Sequence, residues 1–205
     1  MDPELELLRS WQGGDDRAGN QLFERHFDAI YRFFYGKVED ALAEELAQDT
    51  FLSVVQHRDG LHEHRSVRAY LFAVARNKLY DLLRRRGRAA RPVDLSECSL
   101  EDLGPTPTGL LSRQRQERIL LQALRGLPVE LQVLMELRYF EGLRGPQLAE
   151  TLEVPEGTVR SRLRRAHRLL RERLERLADS SEQVESTMSG LEDWARVVRE
   201  RVEVG

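Results

Sequence analysis

Residues 143–177 read LRGPQLAETLEVPEGTVRSRLRRAHRLLRERLERL. A short helical pattern runs to Leu152, a break falls at Glu153–Pro155, and a longer pattern follows from Glu156. At about 100° per residue, Val159, Leu163, Ala166, Leu170 and Leu174 fall on one side of the longer pattern. They form the core-facing stripe of an amphipathic helix. The other side carries Ser161, Arg164, Arg165 and Arg168, with Arg160 on its flank. Seven arginines and two glutamates lie between Glu156 and Arg173. Most charged helix faces are simply solvated. Here, however, two helical patterns flank a tight break, and the small residues Gly157, Thr158 and Ser161 open the second. That is the pattern of a helix-turn-helix, whose second helix enters the DNA major groove with its first residues at the base edges.

The rest of the 205-residue chain has room for one large or two small domains. No apolar run approaches the ~20 residues of a membrane span, and the opening MDPELELLRS lacks a signal-peptide apolar core. The single cysteine, Cys98, excludes an intrachain disulfide and a cysteine-rich zinc module. A cytoplasmic protein is the expectation. The net charge of −3 hides a segregation. Residues 61–91 hold nine basic and two acidic side chains, and residues 143–177 hold nine and five. Acidic stretches lie before, between and after them. Two nucleic-acid contacts on one chain, with acidic surface left for a basic partner, fit this distribution.

All-α architecture is expected throughout. Residues 4–12 read as a short helix ended by Gly13–Gly14, and a second helix runs from about Arg17 to Val38. In a third, over 41–56, Leu42, Leu46, Phe51, Leu52 and Val55 are expected inside. Glu44, Glu45, Gln48 and Asp49 line an exposed face that suits a basic or polar partner helix. Over 67–86 the buried stripe is Leu71, Val74, Ala75, Leu79 and Leu82. Opposite lie Asn77, Tyr80 and Arg84, flanked by Tyr70 and Arg76, which offer cations for phosphate and rings for unpaired bases. The run Arg84–Arg86 also suits a helix C-terminal dipole. Residues 87–112, rich in Pro, Gly and acid, read as an extended linker. Helices around Ile119–Leu127 and after Pro128 lead into the helix-turn-helix. The tail shows a Ser/Thr-rich break and then a stripe of Leu191, Trp194, Val198 and Val202.

His57, His62 and His64 invite a metal reading. The His62–Glu63–His64 spacing does not put two ligands on one helical face, so no metal site and no cofactor are expected. No paired carboxylates or nucleophile constellation suggests an enzyme.

Three segments together resemble one family. AEELAQDTFLSVV (Ala43–Val55), RAYLFAVARNKLYDLLRRR (Arg68–Arg86), and LPVELQVLMELRYFEGL with the helix-turn-helix that follows it occur in the order found in extracytoplasmic-function (ECF, group IV) sigma factors of the sigma-70 family. The resemblance covers about residues 5–177. It implies a region 2 domain over 1–88, a linker over 89–112, a region 4 domain over 113–178 and a C-terminal extension over 179–205. It also implies core RNA polymerase (β′ clamp helices and β flap) and promoter DNA as partners, with no membrane insertion. An anti-sigma factor or a regulatory kinase would be further partners. Glu44, Glu45, Gln48 and Asp49 would dock polymerase. His62, Arg65, Tyr70, Arg76, Asn77, Tyr80 and Arg84 would engage the −10 element as a single strand. Arg160, Ser161, Arg164, Arg165 and Arg168 would engage the −35 duplex. The chain departs from the family pattern at the helix-turn-helix turn, where Glu153 replaces the usual Gly, and at Leu42 and Tyr70. Apart from the resemblance, the residues also allow a two-domain DNA-binding regulator that does not bind polymerase.

Overall fold

The computed structural model describes residues 3–57, 66–86, 94–103 and 115–193. Those residues fold as helices with two isolated backbone bridges, Tyr35 with Val38 and Ser99 with Pro128. In chain order the helices are α1 (Pro3–Gln12), α2 (Asp16–Phe34), α3 (Asp40–Gln56), α4 (Val67–Arg86), α5 (Leu100–Leu103), α6 (Arg115–Arg125), α7 (Val129–Tyr139), α8 (Gly145–Leu152), α9 (Glu156–Leu177) and α10 (Ser181–Ser189).

The first four helices bundle around aromatic residues. Asp15 caps α2, its carboxylate accepting from Arg17 N at 3.0 Å. Trp11 of α1 lies edge-on to Phe23, ring centroids 5.3 Å apart, and its indole presses on Gly19. A Cβ at Gly19 would come within 2.6 Å of that ring, so a larger residue would push α1 off α2. The α2 helix stops at Phe34 rather than at Val38. Gly36 takes φ +80° at the corner, and Lys37 turns back to donate to Phe33 O. The inward face of α3 is Ala43, Leu46, Ala47, Phe51 and Val54. Leu52 and Val55 are instead 55% and 39% exposed, on the same side as the acidic residues. In α4, Phe72 and Leu83 are buried in addition to Leu71, Ala75 and Leu79, whereas Val74 and Leu82 are half-buried.

The expected linker contains a folded piece. Asp94 accepts from Ser96 N and Oγ, and Asp102 accepts from Ser99 N and Oγ. Leu95 and Leu100 are buried between these turns. Cys98 O and Leu95 O accept from Val129 N and Glu130 N at 2.9 and 3.2 Å, which satisfies two N–H groups that the first turn of α7 cannot pair internally.

Helix α7 is buried on all sides and joins two cores. Val129, Val133, Leu134 and Leu137 enter a core shared with α1–α4, together with Leu143, Leu148, Leu152 and Val159. Leu131 and Met135 enter a second core with α6, the rear of α9, Val184 and Leu191. Buried charge reinforces the first junction. Glu141 accepts from Arg32 Nε at 3.2 Å and Arg68 Nη2 at 3.1 Å, and Lys37 pairs with Glu136. Arg125 Nη1 donates to Gly36 O at 2.7 Å. The Ser/Thr segment expected to break the tail is helical instead. Ser180 caps α10, and Val184 and Thr187 are buried on α9. Leu191 joins that core, while Trp194, Val198 and Val202 lie outside the described residues.

Candidate nucleic-acid interface

The helix-turn-helix consists of α8, the Glu153–Pro155 turn and α9. Pro146 sits in the first turn of α8, and Gln147 Oε1 accepts from Arg144 N at 3.1 Å. The turn requires a left-handed residue, and Glu153 occupies it with φ 55° and ψ 41°. Val154 N then bonds Ala149 O at 3.1 Å, closing the end of α8. On α9, Val159, Ala166, Leu170 and Leu174 are buried and Leu163 is half-buried, matching the expected stripe. His167, beside that stripe, lies 2.7 Å from the Tyr139 hydroxyl, and burial holds its pKa below the usual imidazole range.

Arg160, Ser161, Arg164, Arg165 and Arg168 are all exposed on α9. Ser161 Oγ donates to Thr158 O at 2.9 Å, and the Arg168 guanidinium lies 3.9 Å from Glu172. The first turns of α9 therefore present a guanidinium surface at the end of a rigid helix about 33 Å long.

Among the candidates on α4, Asn77 and Arg84 are exposed and Tyr70 is half-buried. Arg76 and Tyr80, expected on the open face, are 7% and 9% exposed because α8 packs across them. Arg76 donates to Thr151 O, to Glu153 Oε1 at 2.6 Å and to Asn77 Oδ1 at 2.8 Å. Burial pushes the Tyr80 hydroxyl well above the ordinary phenol range. A cleft of about 240 Å³ remains beside them, walled by Arg76, Asn77, Tyr80, Arg84 and, across from α4, Leu152 and Arg162. His62 and Arg65 lie outside the described residues.

Glu44, Glu45, Gln48 and Asp49 are exposed on α3, with Gln48 Nε2 donating to Glu44 Oε1 at 3.3 Å. Leu52 and Val55, which the sequence pattern places inward, instead extend this face as an apolar component. The signal was present, since Leu52 follows Gln48 and Asp49 by four and three positions, the spacing of neighbours on one helix face.

Family models for Sigma-70 region 2 and Sigma-70 region 4 match residues 22–89 and 117–177. The ECF RNA polymerase sigma factor SigL of Mycobacterium tuberculosis is 33% identical over 76% of this chain and 88% of its own length. The chain belongs to the ECF sigma factors of the sigma-70 family. An alternative sigma factor for RNA polymerase is the function that membership carries. The ECF factor SigE of Mycolicibacterium smegmatis is 34% identical over 76% of the chain, which spans 61% of that relative's length. The fold of CnrH, solved in complex with the cytosolic domain of CnrY, superposes with a TM-score of 0.62 at 26% identity. That match covers 87% of this chain and all of CnrH. Among the described residues, no helix is long and apolar enough to cross a membrane.

Proposed function

We propose that this ECF factor is of the group IV type and directs core RNA polymerase to promoters from the cytoplasm, as an initiation factor rather than a catalyst. Region 2 would comprise residues 1–88 and region 4 residues 113–178, joined by 89–112 and followed by the 179–205 extension. The observation carrying this reading is the open face of α9: five side chains suited to base edges and phosphate are exposed together on the second helix of a helix-turn-helix. Arg160, Ser161, Arg164 and Arg165 read the −35 duplex, and Arg168 meets phosphate. Region 2 holds the −10 element as a single strand through Tyr70, Arg76, Asn77, Tyr80 and Arg84, with His62 and Arg65 from the preceding loop capturing a flipped base. Glu44, Glu45, Gln48 and Asp49 dock the β′ clamp helices, Leu52 and Val55 adding apolar contact, and region 4 meets the β flap. A protein of the anti-sigma kind or a kinase acting on the tail supplies control.

Run-off transcription with purified core polymerase on a randomised promoter library tests the proposal. Promoter-selective transcripts are expected from the wild-type chain. Glu45→Lys combined with Asp49→Lys should abolish them while leaving duplex binding intact. A chain that binds duplex DNA yet adds no selectivity to polymerase would refute the sigma reading and leave a DNA-binding regulator.

A further inference from the structure

The folded piece at 94–103 interrupts the connection between the two promoter readers and is held by three helices of the second. Cys98 O and Leu95 O accept from Val129 N and Glu130 N in the first turn of α7. Arg125 of α6 donates through Nη2 to Leu100 O at 3.3 Å, and Arg173 of α9 pairs with Glu101 at 3.0 Å. A Cβ on Gly126 would fall 2.7 Å from the Arg173 guanidinium, so the glycine leaves the room that this arm needs to reach Glu101. Leu95 and Leu100 are buried beneath these contacts.

Seated there, the piece takes residues 94–114 out of the tether. What remains joins one reading face almost directly to the other. The chain leaves α4 at Arg86, two positions past Arg84. At the far end, Leu95 is held on Glu130, whose carboxylate lies 3.4 Å from Arg162 on α9, among the −35 residues. The eight Cα steps from Arg86 to Asp94 span at most about 29 Å. Allowing a domain radius of about 15 Å at each end, the reach is about 60 Å. The −35 and −10 elements lie about 25 base pairs apart, roughly 85 Å at 3.4 Å per base pair. Bending that duplex through 90° brings them only to about 75 Å. With the piece released, the 29 steps from Arg86 to Arg115 span about 100 Å.

We propose that 94–103 is a clasp that sets the distance between the two readers. While it is seated on α7 the chain can hold one promoter element but not both, and engagement of the second element requires its release. Two leucines and a few hydrogen bonds hold it, so it can open as a local unit with α7 intact. The inference rests on the sigma reading, which gives the two faces their elements.

A lock on the clasp in the full chain tests it. Ser99 and Pro128 face each other as an antiparallel pair. The bond between their neighbours, Cys98 O and Val129 N, makes them the kind of pair whose Cα atoms lie about 4.5 Å apart, within disulfide range. In a Cys98→Ser background, Ser99→Cys with Pro128→Cys is therefore expected to cross-link on oxidation. Run-off transcription from the promoters that wild type selects should then fall at least tenfold and return on reduction, while duplex binding stays within twofold. A Gly/Ser insertion of about 20 residues before Pro92 restores the tether's length with the lock shut. It should bring the oxidised chain to within threefold of the reduced one. A folded chain that does not cross-link, a locked chain that transcribes within twofold of its reduced form or loses duplex binding, or a locked chain that the insertion does not rescue would overturn the proposal. Silence of the wild-type and reduced chains alike would instead overturn the sigma reading, and the proposal with it.

Discussion

Glu141 offers the sharpest test of how α1–α4 is held to the helix-turn-helix unit. Its carboxylate is 3% exposed and receives both Arg32, itself 8% exposed, and Arg68 at 35%. Arg32 approaches both oxygens, at 3.2 and 3.4 Å. Glu141→Ala leaves the two guanidiniums crowded without the carboxylate they share. Removing one partner of a buried pair costs about 3–5 kcal/mol. Solvent screens the Arg68 share, so the low end, about 3 kcal/mol, applies. For a chain of this size, about 2–4 °C is lost per kcal/mol, so the melting temperature should drop by roughly 6–12 °C. Thermal unfolding followed by far-UV circular dichroism measures it. Glu141→Gln, which keeps one acceptor, should fall between. Glu185→Ala, at the exposed pair with Arg171, should leave the curve unmoved. A Glu141→Ala melt within about 2 °C of wild type would show that the pair does not bind the units together in solution.

Other expectations concern the two outer faces and the tail. Arg164→Ala should lose about 1–3 kcal/mol of discrimination at a single −35 base, measured by binding to duplexes varied one position at a time. Arg168→Ala should instead weaken all duplexes alike and lower the salt slope by about one. Leu52→Asp should weaken core-polymerase binding by about tenfold, about 1.4 kcal/mol, with an unchanged melt because Leu52 supports no core. Ser180→Ala should cost α10 about 1 kcal/mol, visible as faster hydrogen exchange over 181–189.

The helix-turn-helix was legible because one period decides it: the 4/3/4/4 spacing from Val159 to Leu174 leaves only one side for the arginines. The acidic face of α3 was legible only in its charged residues, since Leu52 and Val55, expected inside, lie on it. What the sequence hid was contact between distant segments. Periodicity places Tyr80 opposite the buried stripe, but it carries no information that α8, some 70 residues later, covers that side. Arg76 reads as a free cation because its partners, Thr151 and Glu153, are 75 and 77 residues away. The folded piece at 94–103 was hidden differently: proline and acid dominate the composition, and the two leucines that anchor it are too few to set a period. In the tail, the serines suggested a break, yet one of them is the cap that starts α10.

The junction built on α7 also has a consequence in time. Arg32 precedes Glu141 by 109 residues. At synthesis rates of about 5–20 residues per second, the guanidinium leaves the ribosome roughly 5–20 s before its carboxylate. Once α4 has followed, the nascent α1–α4 bundle carries a bare apolar wall until Val133, Leu137 and Leu148 emerge to fill it. An amino-terminal fragment ending before α7 would keep that wall exposed and is expected to aggregate.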